Sequence, residues 1–131
     1  MAEMPQIVRD ILDKKTFVHL ATRMKDGSPQ VSPVWVEREG DQIVINSAKG
    51  RLKDRNIRAD ERVALSATDP DNPYSSFMIR GKVVKITEEG ADEHIDKLAK
   101  KYLDKDKYPF RSPDEVRVKY YIEPLKVASM G

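Results

Sequence analysis

The spacing of apolar positions changes several times along the chain, and each change marks an element. Ile7, Val8, Ile11 and Leu12 recur at helical spacing, which predicts a short amphipathic helix over residues 5–13 whose first turn tolerates Pro5. Residues 16–22 are rich in β-formers, and Asp26-Gly27 turns them back into a second strand over 29–36 as a hairpin. Glu39-Gly40-Asp41 leads into a third strand ending near Ser47. A short helix over 52–60 and a fourth strand over 63–68 follow, and then a loop over 69–73 that its two prolines make too rigid for either element. Residues 74–87 read as a long bent strand with Gly81 as a bulge or close approach. Ala91, Ile95, Leu98, Ala99 and Tyr102 share one face of the longest helix, over 88–102. The lysine-rich stretch up to Pro113 reads as a mobile loop, and residues 116–122 alternate cleanly as a last strand.

Six short strands separated by turns, with only three helices, predict a mainly β fold with helices (α+β). The expected architecture is a single domain over 1–131, a six-stranded antiparallel barrel with helices at its ends or sides. Pro33 sharpens this picture. Proline cannot donate to a ladder, so this point of the second strand must lie on an edge or at a bulge, where a planar ligand can approach the backbone.

Composition removes several chemistries. With no cysteine among 131 residues, disulfides, thiolate metal sites and cysteine nucleophiles are absent together. No stretch approaches the ~20 apolar residues of a membrane span, and no basic start precedes an apolar run, so a soluble, cytoplasmic protein with no membrane partner is expected. Gly-x-Ser-x-Gly, His-Glu-x-x-His, Walker and Gly-x-Gly-x-x-Gly patterns are all missing, and no metal site is expected. Of the two histidines, His19 alternates with Phe17 and Ala21 and reads as structural; His94, on the polar face of its helix, reads as exposed.

Charge supplies the positive clue. The net charge is only +2, yet Lys49, Arg51, Lys53, Arg55 and Arg58 crowd into ten residues directly after the third strand. Such a cluster asks for an anion, most simply a phosphate. If the helix began at Gly50, Arg51, Arg55 and Arg58 would share a face with Lys53 nearly opposite; if it begins at Leu52 or Lys53, Arg51 and Lys53 can converge on one anion with backbone N–H groups. A solvated cationic face is the plainer alternative. Trp35 and Tyr74 could each stack on a ring or fill a core, and Asn56 could bond ligand or backbone.

The ordered segments Phe17–Thr22, Asp26–Trp35, Arg51–Asp60 and Arg80–Val83, ahead of the helix carrying His94 and Leu98, resemble the split-barrel flavin and deazaflavin oxidoreductases related to pyridoxamine 5′-phosphate oxidase. The likeness runs from about residue 5 to residue 127, and the order of its segments is similar to the branch that uses coenzyme F420. It implies a Greek-key split β-barrel that works as a homodimer, with two cofactor sites at the subunit interface. By the same resemblance Arg51 and Lys53 grip the cofactor phosphate, and the strand carrying Gln30, Ser32, Pro33, Val34 and Trp35 lies along the ring. Asn46 and Ser47 line the same groove, Asn56 is counted with them, and Tyr74 and Ser76 come from the other subunit. Relatives carry more aromatic residues after the loop than Tyr74-Ser75-Ser76 offers, which implies a more open second wall.

The implied activity is hydride transfer between coenzyme F420 and a small conjugated substrate, with no side chain named as catalytic acid or base. FMN is the alternative cofactor on the same fold, since the Arg51–Lys53 pair suits either phosphate. Arg55, Arg58 and Lys49 could serve the acidic tail of coenzyme F420. A non-enzymatic barrel binding nucleic acid through the basic run is the rival from another class. That reading calls for aromatic residues among the cations, and between Lys49 and Arg58 there are none, so no nucleic-acid partner is expected.

Overall fold

Seven antiparallel strands form one sheet, and the break that makes seven out of an expected six falls at Trp35. The computed structural model describes residues 1–131. Helix α1 spans Gln6–Asp13, β1 Val18–Arg23, β2 Pro29–Val34, β3 Val36–Glu39 and β4 Gln42–Ala48. Helix α2 spans Leu52–Ala59, β5 Arg62–Asp69, β6 Asn72–Thr87, α3 Ala91–Leu103 and β7 Arg117–Met130. The strand order is β2-β1-β5-β6-β7-β4-β3, so the edge strands β2 and β3 are consecutive in the chain and part only at Trp35. β2 pairs with β1 alone, which puts Pro33 on an edge where its missing N–H costs the sheet nothing.

The β3–β4 ladder ends at Val36↔Ile45, so Asn46, Ser47 and Ala48 pair with β7 on one side and with no strand on the other. This unladdered seam beside β2 is the split of the barrel. Within the curl of the sheet lies a core of 20 buried apolar residues, including Val18, Leu20, Ile43, Ile45, Phe77, Tyr120 and Ile122, closed at one end by Val8, Ile11 and Leu12 of α1. Helix α3 covers the other face of β4 and β7 with Ile95, Leu98 and Tyr102.

Polar contacts from the end of α3 fix the break at Trp35. The Tyr102 hydroxyl accepts from the Val36 N–H (3.1 Å) and donates to the Thr16 carbonyl (2.6 Å), while the Lys101 ammonium donates to the carbonyls of Leu12 (2.6 Å) and Val36 (2.8 Å). Burial pushes the Lys101 ammonium down to about 8 and the Tyr102 phenol up to about 12.

Three local expectations change. The proline loop shrinks to Pro70-Asp71, because the Asp69 carboxylate accepts the Asp71 N–H (2.9 Å) and Asn72 Oδ1 accepts the Tyr74 N–H (3.1 Å), which tightens the hairpin and frees Asn72 and Pro73 to start β6. The stretch after α3 is tied down rather than mobile: Arg111 bonds Asp92 (3.0 Å) and Asp96 (2.7 Å), and the Tyr108 N–H bonds Asp96 (2.9 Å). β7 also runs on to Met130, where the clean alternation stops at Ile122.

Gly81 makes that continuation possible. The β6–β7 register shifts between Arg80 and Gly81, setting Gly81 opposite Pro124, and a Cβ built on Gly81 would lie 2.7 Å from the Glu123 carbonyl oxygen. The close approach expected from the sequence is therefore present. Gly81→Ala should cost about 1 to 3 kcal/mol, since the obstructing atom is backbone and cannot step aside cheaply. Urea unfolding would check this; an unchanged midpoint would contradict the packing described.

Candidate functional site

The basic run resolves into groups with separate partners. Arg51 is the N-cap of α2 with extended backbone (φ −65°, ψ 161°), so the helix starts at Leu52 and not at Gly50. No side chain caps this end, and the amides of Leu52, Lys53 and Asp54 make no hydrogen bond. Three free N–H groups at the positive end of a helix dipole, with Arg51 and Lys53 beside them, have the chemistry to accept an anion. Lys53 is half-buried, and burial, followed by the charges of Arg51 and Arg117, lowers its ammonium from the usual lysine range. A cation held at such a cost is relieved by an incoming anion.

Two residues that the sequence did not single out join this cluster. Glu115, just before β7, accepts from Arg117 Nη1 (2.6 Å) on one oxygen and from Arg51 Nη2 (3.1 Å) on the other. One nearly buried carboxylate thus gathers two guanidinium groups. Arg117 is only 5% exposed, lies 5.2 Å from the Tyr108 ring centre, and donates Nε–H to Asn46 Oδ1 (2.9 Å). Against one carboxylate stand three cations, and the excess positive charge faces the start of α2.

Asp54 holds the turn that presents them. Its buried carboxylate accepts the Gly50 N–H (2.8 Å), the Tyr120 hydroxyl and Arg58 Nε–H (2.9 Å). Gly50 has φ of +90°, a left-handed conformation natural to glycine, and its N–H is aimed back at Asp54. Burial pushes the Asp54 carboxyl up, but the Gly50, Tyr120 and Arg58 bonds outweigh it and leave it below the ordinary carboxylate range.

The other expected site residues fall in three places. Gln30, Ser32 and Val34 share the inward face of β2 opposite Thr22, Leu20 and Val18 of β1. The Thr22 hydroxyl donates to Gln30 Oε1 (2.9 Å) and accepts from Asn56 Nδ2 (3.0 Å), so Gln30 and Asn56 are joined through β1 and the Asn56 amide N–H is engaged within the protein. Ser32 and Ser47 each keep a buried hydroxyl without a partner, one on β2 and one on the unladdered end of β4. Pro33 is exposed on its edge. Trp35 stacks on Tyr102 at 5.2 Å and meets Tyr108 edge-on at 6.0 Å, so its ring is taken up by α3 and the stretch after it.

Tyr74, 83% exposed, and Ser76 lie at the far end of β6, where Ser76 pairs with Met130. Arg117 opens the same strand β7, thirteen residues from Met130, and at ~3.3 Å per residue that run of chain spans about 40 Å before bending. Within one chain these residues do not meet the cations. Of the remaining basic residues, Arg58 is paired with Asp54 and Lys49 with Glu88 (3.5 Å), leaving Arg55 unpaired on a cleft shared with Arg23, Lys25 and Asn56.

His94 is a correction. Expected on the surface, it is 5% exposed beneath α3, with Asn46 Nδ2 of β4 at 3.0 Å from its Nδ1 and Glu37 of β3 at 3.4 Å from its Nε2, which makes no hydrogen bond. His94 first and Lys97 second lower the Glu37 carboxyl against its burial, to about 2 from 4.5. A depressed carboxylate contributes stability that is complete above its unfolded pKa and lost as pH falls through the folded one, here from 4.5 towards 2. Allowing for solvent screening through the exposed Lys97, this amounts to about 1 to 3 kcal/mol. Glu37→Gln should flatten that part of the acid-unfolding profile; a variant profile parallel to the parent's would refute the assignment.

A seven-stranded antiparallel sheet split at Trp35, with three helices against it, is the split-barrel fold of flavin- and deazaflavin-type oxidoreductases. The family model described as pyridoxamine 5′-phosphate oxidase matches residues 4–129, and the chain belongs to that family. It is similar to a solved F420 reductase, with 32% identity over 92% of this chain and 94% of the other and a TM-score of 0.81. A pyridoxamine 5′-phosphate oxidase-like protein from Listeria innocua is 20% identical over 95% of both chains, with a TM-score of 0.72. The HupZ protein of Group A Streptococcus has the same fold at 17% identity, covering 96% of this chain and 98% of the other, with a TM-score of 0.68. No curated protein matches the chain. No helix is long and apolar enough to cross a membrane.

Proposed function

We propose that the protein is a coenzyme F420-dependent oxidoreductase that acts on a small conjugated substrate, as a homodimer. The observation that carries this reading is the uncapped start of α2 with Arg51 and Lys53 beside it, the receptor a cofactor phosphate needs, in a chain 32% identical to an F420 reductase. When bound, the deazaflavin supplies hydride transfer, and the chain supplies position, electrostatics and exclusion of water. Arg51, Lys53 and the first-turn amides of α2 would hold the phosphate. The partnerless hydroxyls of Ser32 and Ser47 are available to polar edges of the ring system, and the free edge of β2 offers it backbone groups. Arg55, with Arg23 and Lys25 near it, is left for the acidic tail.

The dimer is proposed on two features. The outer face of β1, β2, β5 and β6 exposes Val31 and Met78, more than half exposed each, on an apolar groove of about 490 Å³ lined also by His19, Ala21 and Val127, and Phe17, likewise more than half exposed, precedes β1 beside it. A second copy seated there would cover this face and could bring Tyr74 and Ser76 to the other chain's cations.

FMN is the second reading, favoured by the same receptor. Titrating the protein side by side with coenzyme F420 and FMN separates the two. Tighter binding of F420 is expected, and preference for FMN would transfer the assignment to a flavoprotein. Sedimentation should show a dimer; a monomer that still binds cofactor tightly would remove the interface site.

A further inference from the structure

We propose that Arg117 is a third ligand of the bound anion, and that Asn46 and His94 are positioning residues that aim it. The proposal rests on the anion-site reading above. Arg117 uses Nε and Nη1 within the protein, on Asn46 (2.9 Å) and Glu115 (2.6 Å); Nη2 makes no bond and is not sealed from solvent. The group is therefore fixed by two of its nitrogens and offers the third. Glu115 shares its other oxygen with Arg51, which holds the two guanidiniums side by side, and the Arg117 charge reaches Lys53. Two guanidiniums held side by side, with Lys53 near them, suit an anion with several oxygens, such as a phosphoryl group.

The hydrogen bonds behind Arg117 specify a tautomer. Arg117 Nε can only donate, so the Asn46 atom facing it is the carbonyl oxygen. That turns Asn46 Nδ2 towards the Ala91 carbonyl (2.9 Å) and His94 Nδ1 (3.0 Å). An amide nitrogen donates, so His94 Nδ1 accepts and the imidazole proton sits on Nε2, 3.4 Å from Glu37 Oε1. With the other tautomer two donors would face each other at Asn46, and relieving them by rotating the amide would set its NH2 against Arg117. His94 thus holds Asn46 in the one orientation that anchors Arg117.

With only two histidines in the chain, the tautomer can be read directly in 15N-labelled protein, His19→Gln identifying the signals. His94 should carry its proton on Nε2. The Nε–H signals of Arg51 and Arg117 should both shift on addition of inorganic pyrophosphate, and of F420 or FMN, each with the affinity measured by titration. His94→Leu should weaken pyrophosphate binding roughly 10-fold, the scale of a misaimed charged hydrogen bond, and His94→Asn, which keeps an acceptor near the Nδ1 position, should restore it. A proton on Nδ1, an Arg117 signal that stays fixed at saturation, or equal affinities for the two His94 variants would each overturn the proposal. Cofactor binding without movement of Arg117 would sink it and leave the proposed function standing. Movement with pyrophosphate alone, and no binding of either ring cofactor, would do the reverse, and no binding of any of the three would defeat both.

Discussion

Asp54→Ala should destabilise the fold by about 3 to 5 kcal/mol, the largest effect expected of any single substitution considered, because it leaves buried partners without their acceptor. The Tyr120 side chain is fully buried and its hydroxyl bonds Asp54; Arg58 and the Gly50 N–H would lose their acceptor at the same time. Asp54→Asn keeps an oxygen for one of the three and should cost less. Because the Asp54 carboxyl lies below its unfolded value of 3.8, its contribution is complete above that pH and fades as pH falls further, so the loss measured at neutral pH should narrow in acid. Urea unfolding at pH 7 and pH 3 tests both parts. A loss under 1 kcal/mol at pH 7 would mean that Tyr120 and Gly50 find other acceptors.

Lys53→Ala should weaken cofactor binding by about 1.5 to 3 kcal/mol, roughly 10- to 150-fold, with little change in folding. The two effects separate because Lys53 makes no hydrogen bond or ion pair in the protein, while burial and two neighbouring arginines work against its charge. Removing it therefore relieves the unbound protein slightly and penalises only the complex. Titration with F420 and FMN, beside an unfolding curve, reads both quantities. Unchanged affinity would remove Lys53 from the phosphate site, and an equal fall in stability would reclassify it as structural.

Legibility in the sequence followed the distance between interacting residues. The alternation of Val18, Leu20 and Thr22 with exposed neighbours, the Asp26-Gly27 turn and the basic run are local signals, and the barrel, the hairpin and the position of Arg51 ahead of α2 could be read from them. Gly81 was legible for the same reason. Trp35 was not, because β-formers run unbroken from Val34 to Val36 across it; what divides the strand there is Tyr102 and Lys101, reaching in from α3. His94 looked like a surface residue because its helical neighbours are charged, and only the placement of Glu37 and Asn46 beneath α3 gives it a polar interior. Arg117 and Glu115 carried no signal at all. Their role exists only once β7 lies beside β4.

That last dependence reaches beyond the finished molecule. Arg117 and Asn46 are 71 residues apart in sequence, and the pairing of β4 with β7 that joins them must wait for nearly the whole chain. Contacts of such long separation form late in folding, after local hairpins and helices. A nascent chain that has reached α3 has its basic run but no Glu115 to gather it, so affinity for the anion is gained in the last steps of folding. Ligand present at that moment binds only the completed barrel and draws the equilibrium towards it.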